Sequence, residues 1–344
     1  MSETAIPSSI QAAPASPAAT PVDPSSFLRD KVRWRWFETV FWLATLLPFF
    51  VAETYLILAS QIAITALFAV SLDLIVGYSG LVSLGHAVFF GFGAYIAGLL
   101  SKYGWGEPLT GLLVATAGAT VLGYLISFII ARITHFALIM VTLGLCLLMF
   151  ELANKAHWLT GGDDGLQGMS MWPIFGIFDF DLYGYTAYAY SLIGLFLSFL
   201  VIRRIINSPF GLSLRGMREN VRRMPAIGAS IKRRIQVIYT ISAGFAGLAG
   251  GLLAQTTQFV ALDALSFQRS AETLVMLILG GAGQLYGGII GAMLFLVARD
   301  QLAGMNPQFW YFWLGLLLVV VIVFLPNGIL GSLAKLTSRS RRKP

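Results

Sequence analysis

Long apolar runs alternate with short polar or basic breaks along most of this chain. Runs near Phe37–Val51, Tyr55–Val76, Leu81–Leu100, Leu109–Ala131, Phe136–Ala153, Tyr185–Ile202, Ile235–Ala254 and Gln308–Leu325 each predict a membrane-crossing helix. The reason is length: roughly 20 apolar residues carry a helix across a bilayer core. Ala271–Ala298 reads either as one tilted span or as two short ones broken at Gly280–Gly288. The polar material gathers elsewhere. Met1–Phe27, rich in Ala, Pro, Ser and Thr, predicts a disordered segment without the charged start and apolar core of a signal peptide. Asn154–Gly184 is a long loop carrying Asp163, Asp164, Asp179 and Asp181. Between Arg203 and Arg234 nine basic residues face only Glu219, and the tail adds Lys335, Arg339, Arg341, Arg342 and Lys343.

Positive charge orients such a pattern, because Lys and Arg collect on the cytoplasmic side. Arg29, Lys31, Arg33 and Arg35, interleaved with Trp34 and Trp36, read as a cytoplasmic anchor with interfacial aromatics. The 203–234 loop and the tail belong to the same side, so an even number of spans must separate them. Ala271–Ala298 must then cross twice, turning inside at GGAGQLYGG, with halves of about thirteen residues. Protein-buried, glycine-rich breaks permit such short crossings. The expected fold is all-α, a polytopic transmembrane helix bundle of about ten spans with broken glycine-rich helices. Both termini are inside, and 154–184 and 255–270 are outside. The implied division is a disordered tail 1–28, a transmembrane domain 29–330 containing the 203–234 loop, and a basic tail 331–344.

Composition agrees: 57% of residues are hydrophobic and 11% charged, against about 25% charged in soluble domains. The net charge of +7 sits beside the spans, which argues for lipid headgroups and against nucleic acid. Cys146 is the lone cysteine, lies in an apolar run, and excludes a disulfide within the chain. The histidines and carboxylates have no metal-ligand spacing. Without a Ser-His-Asp order, paired catalytic carboxylates or a Walker A sequence, no catalytic residue or ATPase site is expected.

Four stretches carry candidate chemistry. Gly77–Gly98 crowds six glycines into one span, with Ala94 and Gly98 at small-xxx-small spacing. Such glycines serve close helix packing or a broken helix whose free N–H and C=O groups line a pathway. Gly80, Ser83, Gly85, His86, Gly91 and Gly93 are the candidate pathway residues, with a structural hydrogen bond as the plainer role for His86. Asp73, the deepest carboxylate, reads as paired with a polar group of another span or as a proton or cation site. Ala243, Gly247 and Gly251, like Gly283, Gly287 and Gly291, repeat every four residues and predict tight helix packing. In the basic loop, Ser208-Pro209 is a helix start, since Ser caps and Pro fits the first turn. A short amphipathic helix over Gly211–Asn220 follows, and Pro225 and Gly228 break what comes next. It reads as a docking surface for a soluble partner, or as a basic loop that sets topology and touches lipid.

GYSGLVSLGHAVFFGFGAY, LTGGDDGLQG, SPFGLSLRGMREN, SAGFAGLAGGLLA, ILGGAGQLYGGIIGA and LPNGILG occur here in one order across Leu56–Gly331. This ordered set resembles the LivM-type permease of bacterial branched-chain amino acid ABC importers. The resemblance implies an inner-membrane permease beside a second, LivH-type permease. Two ABC ATPase subunits of the LivG and LivF type and a periplasmic substrate-binding protein complete the assembly. It also implies that ATP is bound by partners rather than by this chain, and that SPFGLSLRGMREN is the coupling helix. Gly211, Leu212, Leu214, Arg215, Arg218 and Glu219 are then its contact residues, with Leu212 and Leu214 supplying apolar contact to an ATPase groove. The sequence departs from the family at VRRMPAIGAS, where Arg222, Arg223 and Pro225 stand in place of a more acidic, alanine-rich helix. Relatives of this kind carry branched-chain amino acids, urea, short amides or aromatic acids. Two rival readings are an ion-coupled secondary transporter using Asp73 and an intramembrane enzyme using His86.

Overall fold

The structure, a computed structural model, describes residues 36–51, 55–133, 135–181, 183–325 and 328–332. The segment Met1–Phe27, the anchor Arg29–Arg35 and residues 333–344 of the tail lie outside the described residues. Within them the fold is all-helical, with two isolated antiparallel bridges, Leu166–Val260 and Ile174–Phe178. In chain order the helices are α1 (Trp36–Ala44), α2 (Pro48–Val51), α3 (Leu56–Asp73), α4 (Ala87–Lys102), α5 (Pro108–Ile130), α6 (His135–Lys155) and α7 (His157–Thr160). After the acidic loop come α8 (Tyr185–Ile206), α9 (Pro209–Glu219), α10 (Ile231–Thr257), α11 (Phe267–Gly280), α12 (Gly287–Met305) and α13 (Trp310–Phe324).

Among the described residues six helices are long and apolar enough to cross a membrane: α3 with the turn that extends it to Tyr78, α5, α6, α8, α10 and α12. The chain is a multi-pass membrane protein. Three boundaries differ from the hydropathy pattern, each for a local reason. The first run breaks after Ala44 and restarts at Pro48, whose ring nitrogen has no proton to donate to a continuing helix. The third run is helical only from Ala87, giving α4 just 16 residues and about 24 Å of length. In the non-helical approach Leu81–His86, the Leu84 amide donates to the Thr142 hydroxyl (3.2 Å). The Ala87 amide, at the start of α4, donates to the Ser270 hydroxyl (2.9 Å). The ambiguous run is broken: α11 ends at Gly280, α12 starts at Gly287, and the pieces have 14 and 19 residues.

Most of α3 and α10 is buried, and little of α6 is. Small residues every four positions let α10 approach two helices at once. Gly247 lies over Ala115 and Ala119 of α5 on one side and against Gly93 of α4 on the other. α5 answers with its own buried stripe, Gly111, Ala115, Ala119 and Gly123. The hairpin α11–α12 closes equally tightly, because Gly291 packs on the Met276 carbonyl. Without such contacts, helices in lipid have little to drive their association.

At one end of the bundle, connectors clasp through Tyr188 to the Thr45 carbonyl, Leu166 to Val260, and Gln255 to the Pro108 carbonyl (2.7 Å) and the Tyr190 hydroxyl (2.8 Å). At the opposite end Arg203 of α8 pairs with Glu38 of α1 at 2.7 Å, both side chains nearly buried. Around the same junction Trp42 packs edge-on against Phe199 and Phe41 edge-on against Tyr286, while Phe199 and Tyr286 meet at a tilt.

Candidate functional site: the short basic helix and the core it touches

The basic loop folds as its residues dictate. Ser208, in extended backbone, accepts the Gly211 amide at 3.4 Å, Pro209 takes the first helical position, and α9 runs to Glu219. Asn220 then caps a 3₁₀ stretch, Val221–Ile227, by accepting from the Arg222 and Arg223 amides, and Gly228 ends it at φ +75°. Gly211, Leu214 and Met217 form the buried face of α9. Leu214 is 0% exposed and Leu212 is 37% exposed. The expectation that both leucines contact a partner therefore needs correction, since Leu214 is spent on the chain's own core. At about 100° per residue, positions two apart point almost oppositely. Leu212 and Glu219 are on the outward side.

Two arginines tie α9 to the end of α3. The Arg215 guanidinium lies 5.3 Å from the centre of the Tyr78 ring. Arg218 donates to the Gly77 carbonyl, and its aliphatic stem covers Gly80, which holds φ +75°. Gly77 belongs to a π-helical turn, Leu74–Tyr78, that continues α3. Such turns break the regular i→i−4 pairing and collect at functional positions. One turn earlier, Asp73 is 1% exposed, and its Oδ1 accepts the Gly283 amide at 2.7 Å.

Deeper in the bundle His86 is fully buried and stacks on Phe68 at 5.4 Å and 5°. Its Nε2 is 2.9 Å from the Ser71 hydroxyl and 3.5 Å from that of Ser242. Ser71 donates to the Phe68 carbonyl and Ser242 to the Ser71 carbonyl. Both hydroxyl protons are thus directed at backbone carbonyls, which leaves the serine oxygens free to accept from Nε2. Ser83 is fully buried with its hydroxyl facing that of Tyr239, and His86 Nδ1 makes no hydrogen bond among the described residues. Gly85 lies on the Thr142 backbone, Gly91 against Ala264 and Leu265, and Gly93 on the Gly247 backbone. The Cys146 thiol is buried and donates to the Leu265 carbonyl at 3.2 Å.

The structure thus gathers Gly80, Arg215 and Arg218 at one end, and Ser83, Gly85 and His86 in the interior. Gly91 and Gly93 sit farther along α4. Sequence reasoning places Gly77 only among the crowded glycines, and it misses Gly283 as the partner of Asp73, the Glu38–Arg203 pair and the α5 stripe. Only the stripe had a signal, its four-residue period. Among the described residues no three His, Cys, Asp or Glu side chains are grouped to hold a metal ion.

The model of one protein family, "Branched-chain amino acid transport system / permease component", matches residues 54–322. That span runs from the start of α3 nearly to the end of α13 and contains every residue of the site. The chain belongs to this family. It is a transport permease, the membrane-embedded subunit of an ABC importer, and not an enzyme. It is 30% identical over 314 residues to the high-affinity branched-chain amino acid transport system permease protein LivM of Escherichia coli K12, covering 84% of this chain and 72% of that one. A probable LivM of Methanocaldococcus jannaschii is 28% identical over 46% of this chain and 51% of its own. The LivH permease of Escherichia coli K12 is 23% identical over 77% of this chain and 91% of its own. No solved structure matches.

Proposed function

We propose that this permease is one of a pair, beside a LivH-type partner in a bacterial inner membrane. It brings branched-chain amino acids into the cytoplasm on ATP hydrolysed by two cytoplasmic ABC ATPase subunits. A periplasmic binding protein delivers the solute. Similarity to both LivM and LivH supports a pair. The observation that carries the reading is α9. It is a capped, amphipathic helix at the basic end, gripping the bundle with one face and turning Leu212 and Glu219 away from it. A short helix presenting a few anchors is what a groove on a soluble partner recognises. Leu212, Arg215, Arg218 and Glu219 are its coupling residues, with Gly211 and Leu214 as internal support on the buried face.

We read ten crossings, with both termini cytoplasmic, a transmembrane domain 29–330 and tails 1–28 and 331–344. Support comes from the connectors. Leu166 with Val260, Thr45 with Tyr188, and Pro108 with Gln255 pair segments that charge counting puts outside. Gly77, Arg218 and Gly283 come together at the end that charge counting puts inside. The solute path runs along Gly80, Ser83, Gly85 and His86, where unwound backbone and buried polar groups offer hydrogen bonds at membrane depth, and on past Gly91 and Gly93 of α4. In alternating access, closure of the ATPases moves α9 and reopens the bundle toward one side.

Purification from the native membrane through a tag on this chain tests the reading. Stoichiometric ATPase subunits and a second permease, with hydrolysis stimulated by the binding protein, are expected. A chain that purifies alone and moves solute on an ion gradient contradicts it.

A further inference from the structure

The end of α3 holds a buried carboxylate that the transport cycle as described does not use. We propose that Asp73 is a positioning residue for coupling: it ties the α11–α12 turn to the end of α3, so that displacement of α9 moves both together. The proposal rests on the reading of α9 as the ATPase-docking helix.

Three elements meet here. Gly77 lies one turn beyond Asp73, and a side chain at Gly77 would overlap both Asp73 Oδ1 and the Gly283 amide. Its absence opens the gap through which the carboxylate reaches that amide at 2.7 Å. Gly283 sits at φ +83°, where other residues are strained, and its α-carbon packs against the Arg218 guanidinium. The same guanidinium holds the Gly77 carbonyl. So one arginine of the docking helix grips a carbonyl of α3, and a carboxylate of α3 grips the turn that reverses α11 into α12. Water is excluded here because Asp73 is 1% exposed, so breaking this hydrogen bond would leave a buried amide unsatisfied at the full cost of its desolvation.

The surroundings argue against Asp73 as a cation site. The adjacent carbonyl, Gly77, already accepts from Arg218. Among the described residues Asp73 belongs to no group of three His, Cys, Asp or Glu side chains that could hold a metal ion. The nearby guanidinium would repel a cation.

The test uses the assembled complex in liposomes and reads solute taken up per ATP hydrolysed. Asp73→Ala removes the acceptor. Asp73→Asn removes the charge but keeps a carbonyl oxygen for the Gly283 amide. Expected for Asp73→Ala are bound ATPase subunits, hydrolysis within about twofold of the parent and uptake per ATP down at least tenfold. Asp73→Asn is expected to restore at least half of the parent ratio with an unchanged pH profile of uptake. Parent-like coupling in Asp73→Ala overturns the proposal. So does an Asp73→Asn complex as impaired as Asp73→Ala, because the charge rather than the hydrogen bond would then matter. Should Asp73→Ala not accumulate, Gly77→Ala addresses the same link with a methyl group that forces carboxylate and amide apart. It is expected to lose coupling to the same extent, and parent-like coupling overturns the proposal. Failure of the docking reading looks different: the parent chain would then purify without ATPase subunits.

Discussion

A pair of alanine substitutions on α4 tests whether close backbone approach to α10 holds this bundle together. At Gly93 an added methyl group would overlap the Gly247 carbonyl oxygen and stand 2.5 Å from the Gly247 α-carbon, whereas at Gly98 it would stand 2.8 Å from the tips of Leu166 and Met169. Both substitutions gain helix propensity, up to about 1 kcal/mol. Side-chain tips can swing aside, so Gly98→Ala should keep most of that gain. A backbone cannot, and carbon atoms pack best at about 3.5–4 Å, so Gly93→Ala must part α4 from α10 by about 1 Å. Overpacking of this kind costs about 1–3 kcal/mol, and parting the helices also forfeits a quarter to a half of each contact's dispersion energy. We expect a net loss of about 2 kcal/mol. At roughly 2–4 °C per kcal/mol, that lowers the unfolding midpoint in lipid nanodiscs by about 4–8 °C, with Gly98→Ala at or slightly above the parent. Equal midpoints for the two variants, or a Gly93→Ala protein as stable as the parent, would refute the reasoning.

Leu214→Asp buries a carboxylate in the chain's own core and should abolish accumulation of folded protein. Leu212→Asp should leave the fold intact and lose the ATPase subunits on purification; the opposite pattern would mean that the faces of α9 are assigned the wrong way round. The Glu38–Arg203 pair is nearly buried, so Glu38→Ala should destabilise by about 3–5 kcal/mol, whereas Glu38→Met with Arg203→Met should unfold close to the parent. A parent-like midpoint for Glu38→Ala would show that the junction of α1 and α8 does not depend on this pair. In a Cys146→Ser background, Asp164→Cys should react with an impermeant thiol reagent only from outside and Arg218→Cys only from inside. Labelling of position 164 from inside would defeat the ten-crossing topology.

The features legible in the sequence were those set by nearby residues. Ser208-Pro209 announced α9 because capping and proline placement act within one turn. The Ala243, Gly247 and Gly251 stripe announced a tight interface, although its partner on α5 went unread. The break between α11 and α12 followed from charge counting plus glycine. The start of α4 at Ala87 was invisible, because hydropathy is continuous through Leu81–Leu100 while the backbone is decided by distant acceptors, Thr142 and Ser270. Asp73 was recognised as a carboxylate needing a partner, but that partner is a backbone amide 210 residues away. No side chain identifies an amide donor. The sequence predicts apolar contact to a partner from both Leu212 and Leu214, because residue type alone does not give the helical phase that separates them.

Uptake by liposomes carrying the assembled complex, with ATP supplied to the ATPase side and the binding protein to the other, tests the central claim most directly. Radiolabelled leucine, isoleucine or valine should accumulate only with hydrolysable ATP, and Leu212→Asp should abolish the accumulation. Accumulation on a proton or sodium gradient without ATP, undiminished by Leu212→Asp, would contradict the account.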